Sequence, residues 1–464
     1  MAACASGGPV QFGINPGVTS MSSSFQSLLQ AKRRSAADVV AVVKSGERID
    51  YGFGLNEPDA FDAALAARRG ELRDVTIRGA LSLRPRQVIE QDPGQAHFIN
   101  ENWHFSGYDR KKSELGLVSY VPFNFGEAPA LYRRHLSVDL VVLKTAPMDR
   151  HGYFNFGTST TYSRATCDVA RRIVVETCAA MPVCHGVENT VHVSEVDAVI
   201  DGPDTALPEM PAAPIGDIDR QVAEFILREI GDGACLQIGI GGMPNAVCSA
   251  IAHSTLQDLG VHTEMFVDGM VDLADSGKLS GRHKQSHPGK IVFTFCVGSK
   301  RAYDFIDANP ACLSLPVDLT NLPHNIALNR NVVSINNCMQ VDLGGQVASE
   351  STGYRHVSGT GGQLQFVRGA FMSDGGKSFM CLSSRYMKGS HAASRIVAGL
   401  PAGTVVTTPR TDTMFVVTEY GIVNLKGKSV SERARALIAL AHPDERDALY
   451  AEARKHGVLG RRFM

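Results

Sequence analysis

Helix, strand, glycine turn, helix, strand occurs twice in this 464-residue chain, on either side of a proline-rich segment, and that duplication limits the folds open to it. In the first copy Ser35, with Asp38 three residues on, makes a capping box for a helix carrying Val39, Val40 and Val43 that stops at Gly46. A strand over 48–53 follows, then Gly52-Phe53-Gly54, a helix opened by Pro58 that runs to about Arg68, and a strand over 74–80. In the second copy Asp217 or Asp219 caps a helix carrying Val222, Phe225, Ile226 and Ile230 that stops at Gly231. A strand over 234–240 contains Gly239-Ile240-Gly241; Pro244 opens a helix to about Ser254, and a strand over 260–267 closes the unit. Such alternation predicts parallel α/β sheets. Pro203, Pro208, Pro211 and Pro214 keep the intervening segment extended. The predicted organisation is two tandem, related α/β domains over residues 31–202 and 217–464, joined by a linker at 203–216. Later segments echo as well: Leu140–Leu143, then Asp149 and Gly152, match Val332–Ile335, then Asp342 and Gly345.

The copies differ at one place of chemical weight. The second carries Glu264, where the first has Ile77 or Arg78 depending on the loop gap. Two similar domains with one such carboxylate predict a site built mainly on the second and completed by the first. Glu264 falls between the turn at Gly239–Gly242 and the run Ser358-Gly-Thr-Gly-Gly-Gln363, which Leu364, Phe366 and Val367 anchor in a core strand. Glycines let backbone N–H groups approach a developing oxyanion. A carboxylate of ordinary pKa is ionised at neutral pH and attacks without a base. On a strand over 261–267, His262, Glu264 and Phe266 share one face, and a solvent-facing structural glutamate would give the same pattern. Gly239 and Gly241 also suit a dinucleotide turn, but the third glycine falls on Pro244, so a nicotinamide-dependent oxidoreductase is the weaker alternative. No nucleophile elbow, phosphate loop or zinc-protease helix is present, and the 15 histidines lack metal spacing, so no metal is expected.

With 46 basic and 47 acidic residues the chain offers no electrostatic footprint for nucleic acid or an anionic membrane. Ten cysteines without a Cys-x-x-Cys pair read as free thiols of a reducing, cytoplasmic compartment. No stretch has the apolar length to cross a bilayer. Residues 1–30 read as a disordered leader with Met21 as an alternative start; a transit peptide is the weaker reading.

Several stretches together resemble the acetyl-CoA hydrolase/transferase family, class I CoA-transferases of the 4-hydroxybutyrate and butyrate:acetate type. They are Gly239–Ala246, His262-Thr-Glu-Met-Phe-Val-Asp-Gly269, Ser349-Glu-Ser351, Ser358–Gln363 with Phe366-Val-Arg-Gly369, Ser394–Val397, Val417–Gly421 and Ala439–Pro443. The resemblance implies a fold of two tandem α/β domains and a ping-pong transfer of coenzyme A between an acyl-CoA and a carboxylic acid, through a glutamyl-CoA thioester on Glu264. It maps the CoA-contacting turn to Ile238, Gly239, Ile240, Gly241, Gly242 and Met243, further oxyanion and CoA contacts to Gly361, Gly362 and Met339, and a nucleotide-phosphate contact to Lys388, with Arg385 close by. Acyl-CoA is then a substrate rather than a bound cofactor, and a homodimer or higher oligomer is implied. Glu57, His151 in the loop Asp149–Gly157, and Tyr153 are acyl-pocket candidates, as are the aromatics of 120–125 and 153–156. By its position in Asp149-Arg-His-Gly152, His151 also reads as a plain turn residue. The acid is small or medium; a dicarboxylate such as itaconate or succinate needs a cationic partner, for which Arg78, Arg355 and His151 are candidates. An acyl-CoA hydrolase with the same nucleophile is the alternative.

Overall fold

The computed structural model describes residues 17–210, 212–388 and 391–460. Two twisted sheets of the same design organise it. The first is wholly parallel and runs, edge to edge, Ser119–Tyr120, Phe98–Asn102, Val75–Ala80, Arg48–Phe53, Leu140–Thr145, Ile173–Thr177 and Ala198–Asp201. The second runs Cys312–Ser314, Ile291–Phe293, Gly260–His262, Cys235–Ile238, Val332–Asn337, Lys377–Cys381 and Phe415–Thr418, all parallel, with Gly421–Asn424 added antiparallel at the edge. In both, the chain starts in the middle, builds outward on one side, then returns to build on the other. The duplicated pattern in the sequence is therefore a duplicated topology.

The register corrects the match made at Glu264. Ile49 pairs with both Ile77 and Leu140, as Cys235 pairs with both Gly260 and Val332. Carried forward four residues, that equivalence sets Leu81, not Ile77 or Arg78, opposite Glu264.

Most expected elements form for the expected reasons. Ser35 caps Ala36–Ala41 in a reciprocal box with Asp38, and Val39 and Val40 face the core. Gly216, with Asp219, caps the helix Asp217–Leu227, so the cap lies one residue before the earliest expected one. Three elements differ. The expected strand over 260–267 is interrupted: Gly260–His262 and Met265–Phe266 are paired separately, and Thr263 and Glu264 form the break. The expected core strand after Gly362 is a helix, Gln363–Met372, whose buried face carries Gln365, Phe366, Val367, Gly369 and Ala370. The apolar positions after Gly362 thus follow a helical period rather than alternation. The expected leader is likewise helical from Gly17 to Lys32, with Leu29 buried and the Lys32 ammonium capping the carbonyls of Val193 and Val196. Residues 1–16 lie outside the described part. No described helix is long and apolar enough to cross a membrane.

Candidate active site

Open parallel sheets present ligand crevices beyond the carboxyl ends of their strands, where the strand order reverses. Here the two sheets point those ends at each other. Phe53, Leu81 and Trp103 leave the first sheet, and Gly239, Glu264, Phe295 and Asn336 leave the second, to line one cleft of about 240 Å³. Phe53 helps join the halves, its ring 5.0 Å from Phe125 in its own half and 4.7 Å from Phe295 in the other.

Glu264 stands in the strand break, where its backbone is fixed: the N–H groups of Thr294 and Phe295 both donate to its carbonyl, at 3.0 and 3.3 Å. Interruption frees the side chain from the alternation of a regular strand. Its carboxylate reaches the cleft yet is surrounded by protein, and this burial pushes its pKa up to about 7, against smaller downward pulls from the Asn321 amide and the Gly362 N–H. The sequence-based expectation of a carboxylate with its ordinary, low pKa is thereby corrected upward. Asn321 Nδ2 donates to Glu264 Oε2 at 2.5 Å. Asn321 is itself placed by its neighbour, since the buried imidazole of His262 donates from Nε2 to the Thr320 carbonyl at 2.7 Å.

The second glycine run is built for close approach. Gly361 has φ +55°, and a Cβ on Gly362 would overlap both Asn321 Nδ2 and Glu264 Oε2. Gly362 is the N-cap of the helix Gln363–Met372, so its N–H has no partner within the helix and bonds the Glu264 carboxylate instead. The first half clamps this turn. Phe125 N–H donates to the Gly361 carbonyl at 3.0 Å, and Thr360 N–H donates to the Tyr120 hydroxyl at 2.8 Å.

The first glycine turn divides its residues among three cavities. Gly239 N–H is held by the Ile335 carbonyl at 2.9 Å and is not free for an oxyanion. Ile238, Gly239 and Ile240 line the Glu264 cleft. Gly242, Met243 and Met339 line a second, larger cavity of about 650 Å³ that shares Asn337 and Ser349 with the first. Gly241, at φ +120°, lines a third beyond Ile240. Asn337 Oδ1 and Ser349 Oγ, at the neck between the first two, are buried without hydrogen-bond partners. The side chain of Lys388 lies outside the described part, and Arg385 is held by Glu445 at 2.7 Å and Asp444 at 3.1 Å.

The acyl-pocket candidates divide. Phe123 and Phe125 line the cleft, whereas Phe154 and Phe156 are core residues. Glu57 does not line it: buried beside a separate small cavity, it accepts from Ser82 Oγ at 2.9 Å and pairs with Arg86 at 3.2 Å. His151 is an exposed turn residue, its N–H donating to Asp149 Oδ1, as its position suggested; Tyr153 packs on His192 at the surface. Sequence reasoning missed Asn321, Leu81, His104 and Trp103. Trp103, the single tryptophan of the chain, was the one with a visible signal.

The chain is similar to known proteins over most of its length. Residues 22–211 match the acetyl-CoA hydrolase/transferase N-terminal domain and residues 298–453 the C-terminal domain. The butyryl-CoA:acetate CoA-transferase of Anaerostipes caccae is 44% identical over 436 residues, 93% of this chain and 98% of that protein. The succinyl-CoA:cyclohexane-1-carboxylate CoA transferase of Geobacter metallireducens is 41% identical over 432 residues, 93% of this chain and 97% of that one. The crystal structure of RipA from Yersinia pestis superposes with a TM-score of 0.87 at 37% identity, covering 94% of this chain and 100% of that one. The chain belongs to the acetyl-CoA hydrolase/transferase family, as an enzyme of its CoA-transferase type.

Proposed function

We propose that this enzyme moves coenzyme A from an acyl-CoA to a carboxylic acid with Glu264 as the covalent carrier. A carboxylate oxygen of Glu264 attacks the thioester carbonyl carbon; the C–S bond breaks and CoA leaves as thiolate, giving a mixed anhydride. The thiolate then attacks the glutamyl carbonyl, the first acid departs as carboxylate, and a glutamyl-CoA thioester remains. An incoming carboxylate reverses both steps. The observation that carries this reading is Glu264 Oε2 held by the Asn321 amide at 2.5 Å beside the Gly362 N–H. Donors that hold a carboxylate oxygen also face the oxyanion that forms on the glutamyl carbonyl when thiolate attacks it, and such a donor contributes about 3–4 kcal/mol in comparable sites. The neck at Asn337 and Ser349 supports passage of a polar chain: its two unpartnered atoms suit the amides of a pantetheine arm reaching toward the larger cavity.

The nine cysteines among the described residues are free and buried, which supports the cytoplasmic placement. A homo-oligomer belongs to the same reading, and light scattering on the purified protein checks it. The test of function is CoA transfer with and without an acceptor acid. Transfer should require both substrates, with parallel double-reciprocal plots. CoA release at full rate without an acceptor would instead identify a hydrolase using the same nucleophile.

A further inference from the structure

Given the CoA-transfer reading above, we propose that Arg395 binds a phosphate group of coenzyme A, at the far side of the neck from Glu264. Ser394-Arg395-Ile396-Val397 is one of the stretches that carry the family resemblance, yet none of its residues lines the Glu264 cleft. Arg395 instead lines the larger cavity of about 650 Å³, together with Gly242, Met243 and Met339. Among the described residues it is the one lysine or arginine in that lining.

The backbone of Arg395 is fixed on both sides. Its N–H donates to the Ser384 carbonyl at 2.9 Å, and its carbonyl accepts from the Val341 N–H at 3.0 Å. The guanidinium packs over the Tyr386 ring, 5.7 Å from its centroid. It also reaches the cavity wall at Cys338: burial pushes that thiol up to about 12, against a smaller downward pull from the Arg395 charge. Among the described residues no carboxylate pairs with Arg395. Arg385, on the same hairpin, is by contrast held by Glu445 and Asp444. The two acids of the lining do not supply the counter-charge either. Asp219 accepts from the Gly216 N–H at 2.8 Å, and Asp217 is turned to solvent beside Arg220. A guanidinium held by a ring on one face keeps its N–H edge open, and that planar fork takes phosphate oxygens two at a time. The cavity meets the Glu264 cleft at Asn337 and Ser349. A thioester at Glu264 whose arm passes that neck carries the phosphates, the anionic groups of coenzyme A, to the side where Arg395 stands without a counter-ion.

The experiment measures kcat/KM for acetyl-CoA, acetyl-dephospho-CoA and acetyl-pantetheine with butyrate as acceptor, and titrates free CoA by calorimetry, for the wild type, Arg395→Met and Arg395→Lys. Arg395→Met should lose about 10- to 100-fold in kcat/KM for acetyl-CoA, through KM, and bind free CoA more weakly by a similar factor. It should match the wild type with acetyl-pantetheine, which has no phosphate. Arg395→Lys keeps the charge without the fork and should recover part of the loss. A loss that persists with acetyl-dephospho-CoA assigns the contact to the diphosphate, and one that vanishes assigns it to the ribose phosphate; both support the proposal. An equal loss with acetyl-pantetheine, or none with acetyl-CoA, overturns it and leaves CoA transfer intact. Acetyl-CoA cleaved at full rate without butyrate overturns the transfer reading, and weaker CoA binding by Arg395→Met then still supports the phosphate contact. A wild type that neither binds CoA nor cleaves acetyl-CoA overturns both.

Discussion

Replacing Asn321 with alanine removes the side-chain donor that lies 2.5 Å from Glu264 Oε2 and leaves the carboxylate in its buried setting. A hydrogen bond to an ionised group is worth about 1.5–3 kcal/mol, and about 1.4 kcal/mol corresponds to one pH unit in a titration midpoint. The Glu264 midpoint, about 7 in the native protein, should therefore rise by about one to two pH units. The ionised form attacks, so activity increases as pH passes upward through the midpoint. At pH 7 the ionised fraction falls from about half to between about one in ten and one in a hundred, a loss of about 5- to 50-fold in kcat/KM from protonation alone. The assay is kcat/KM for acyl-CoA from roughly pH 5.5 to 9.5, because that profile reports groups of the free enzyme. The ascending limb should move to higher pH, and any deficit left on the alkaline plateau measures the separate contribution of Asn321 to oxyanion stabilisation. An unchanged limb would refute the reasoning, since it would mean that Asn321 does not hold the ionised carboxylate in solution.

Further predictions rest on the same cleft. Gly362→Ala keeps a backbone open to alanine, at φ −103°, but drives a methyl group into Asn321 and Glu264, so kcat should fall by about 100- to 1000-fold with the thermal midpoint little changed. Tyr120→Phe takes the hydroxyl partner from the Thr360 N–H, loosening the Gly361–Gly362 turn; kcat should drop about tenfold with KM for acyl-CoA nearly unchanged. Glu264→Gln should be inactive and more stable at alkaline pH. The folded-state pKa lies above the ordinary 4.5, so the native carboxyl contributes fully to stability below about pH 4.5, and that contribution is lost as pH rises to about 7. Above pH 7 the variant should be the more stable by about 1–3 kcal/mol, with the difference vanishing near pH 4.5; thermal unfolding at both ends of the range checks it.

The duplicated fold was legible because it is written in local signals. The box at Ser35 and Asp38, the glycine stops and the spacing of apolar residues each act within a few residues, and all recur across the linker. Glu264 was legible through its flanking glycines. The break that presents it was hidden, because no glycine or proline marks a strand end within Val261–Val267, and only the backbone bonds to Val292, Thr294 and Phe295 reveal it. The helix after Gly362 was hidden for a related reason: a short apolar run suits either period until length decides. Asn321 lies 57 residues from Glu264 and has no local signature; a buried histidine bonding to its neighbour's carbonyl sets its position. The raised pKa of Glu264 likewise comes from surroundings contributed by distant segments, so sequence reasoning assigned the ordinary value. Glu57 follows the first glycine turn in sequence, but Ser82 and Arg86, which no local signal pairs with it, hold it at a separate small cavity.

The central claim is that the Glu264 carboxylate becomes a thioester of coenzyme A. Incubation with an acyl-CoA without acceptor, reduction with borohydride, and mass spectrometry of the digest test it at that residue. The peptide carrying Glu264 should appear with its side-chain carboxyl reduced to an alcohol, only when acyl-CoA was present, and in amounts approaching one per chain. An unaltered Glu264 peptide from enzyme shown to be turning over in the same preparation would contradict the account.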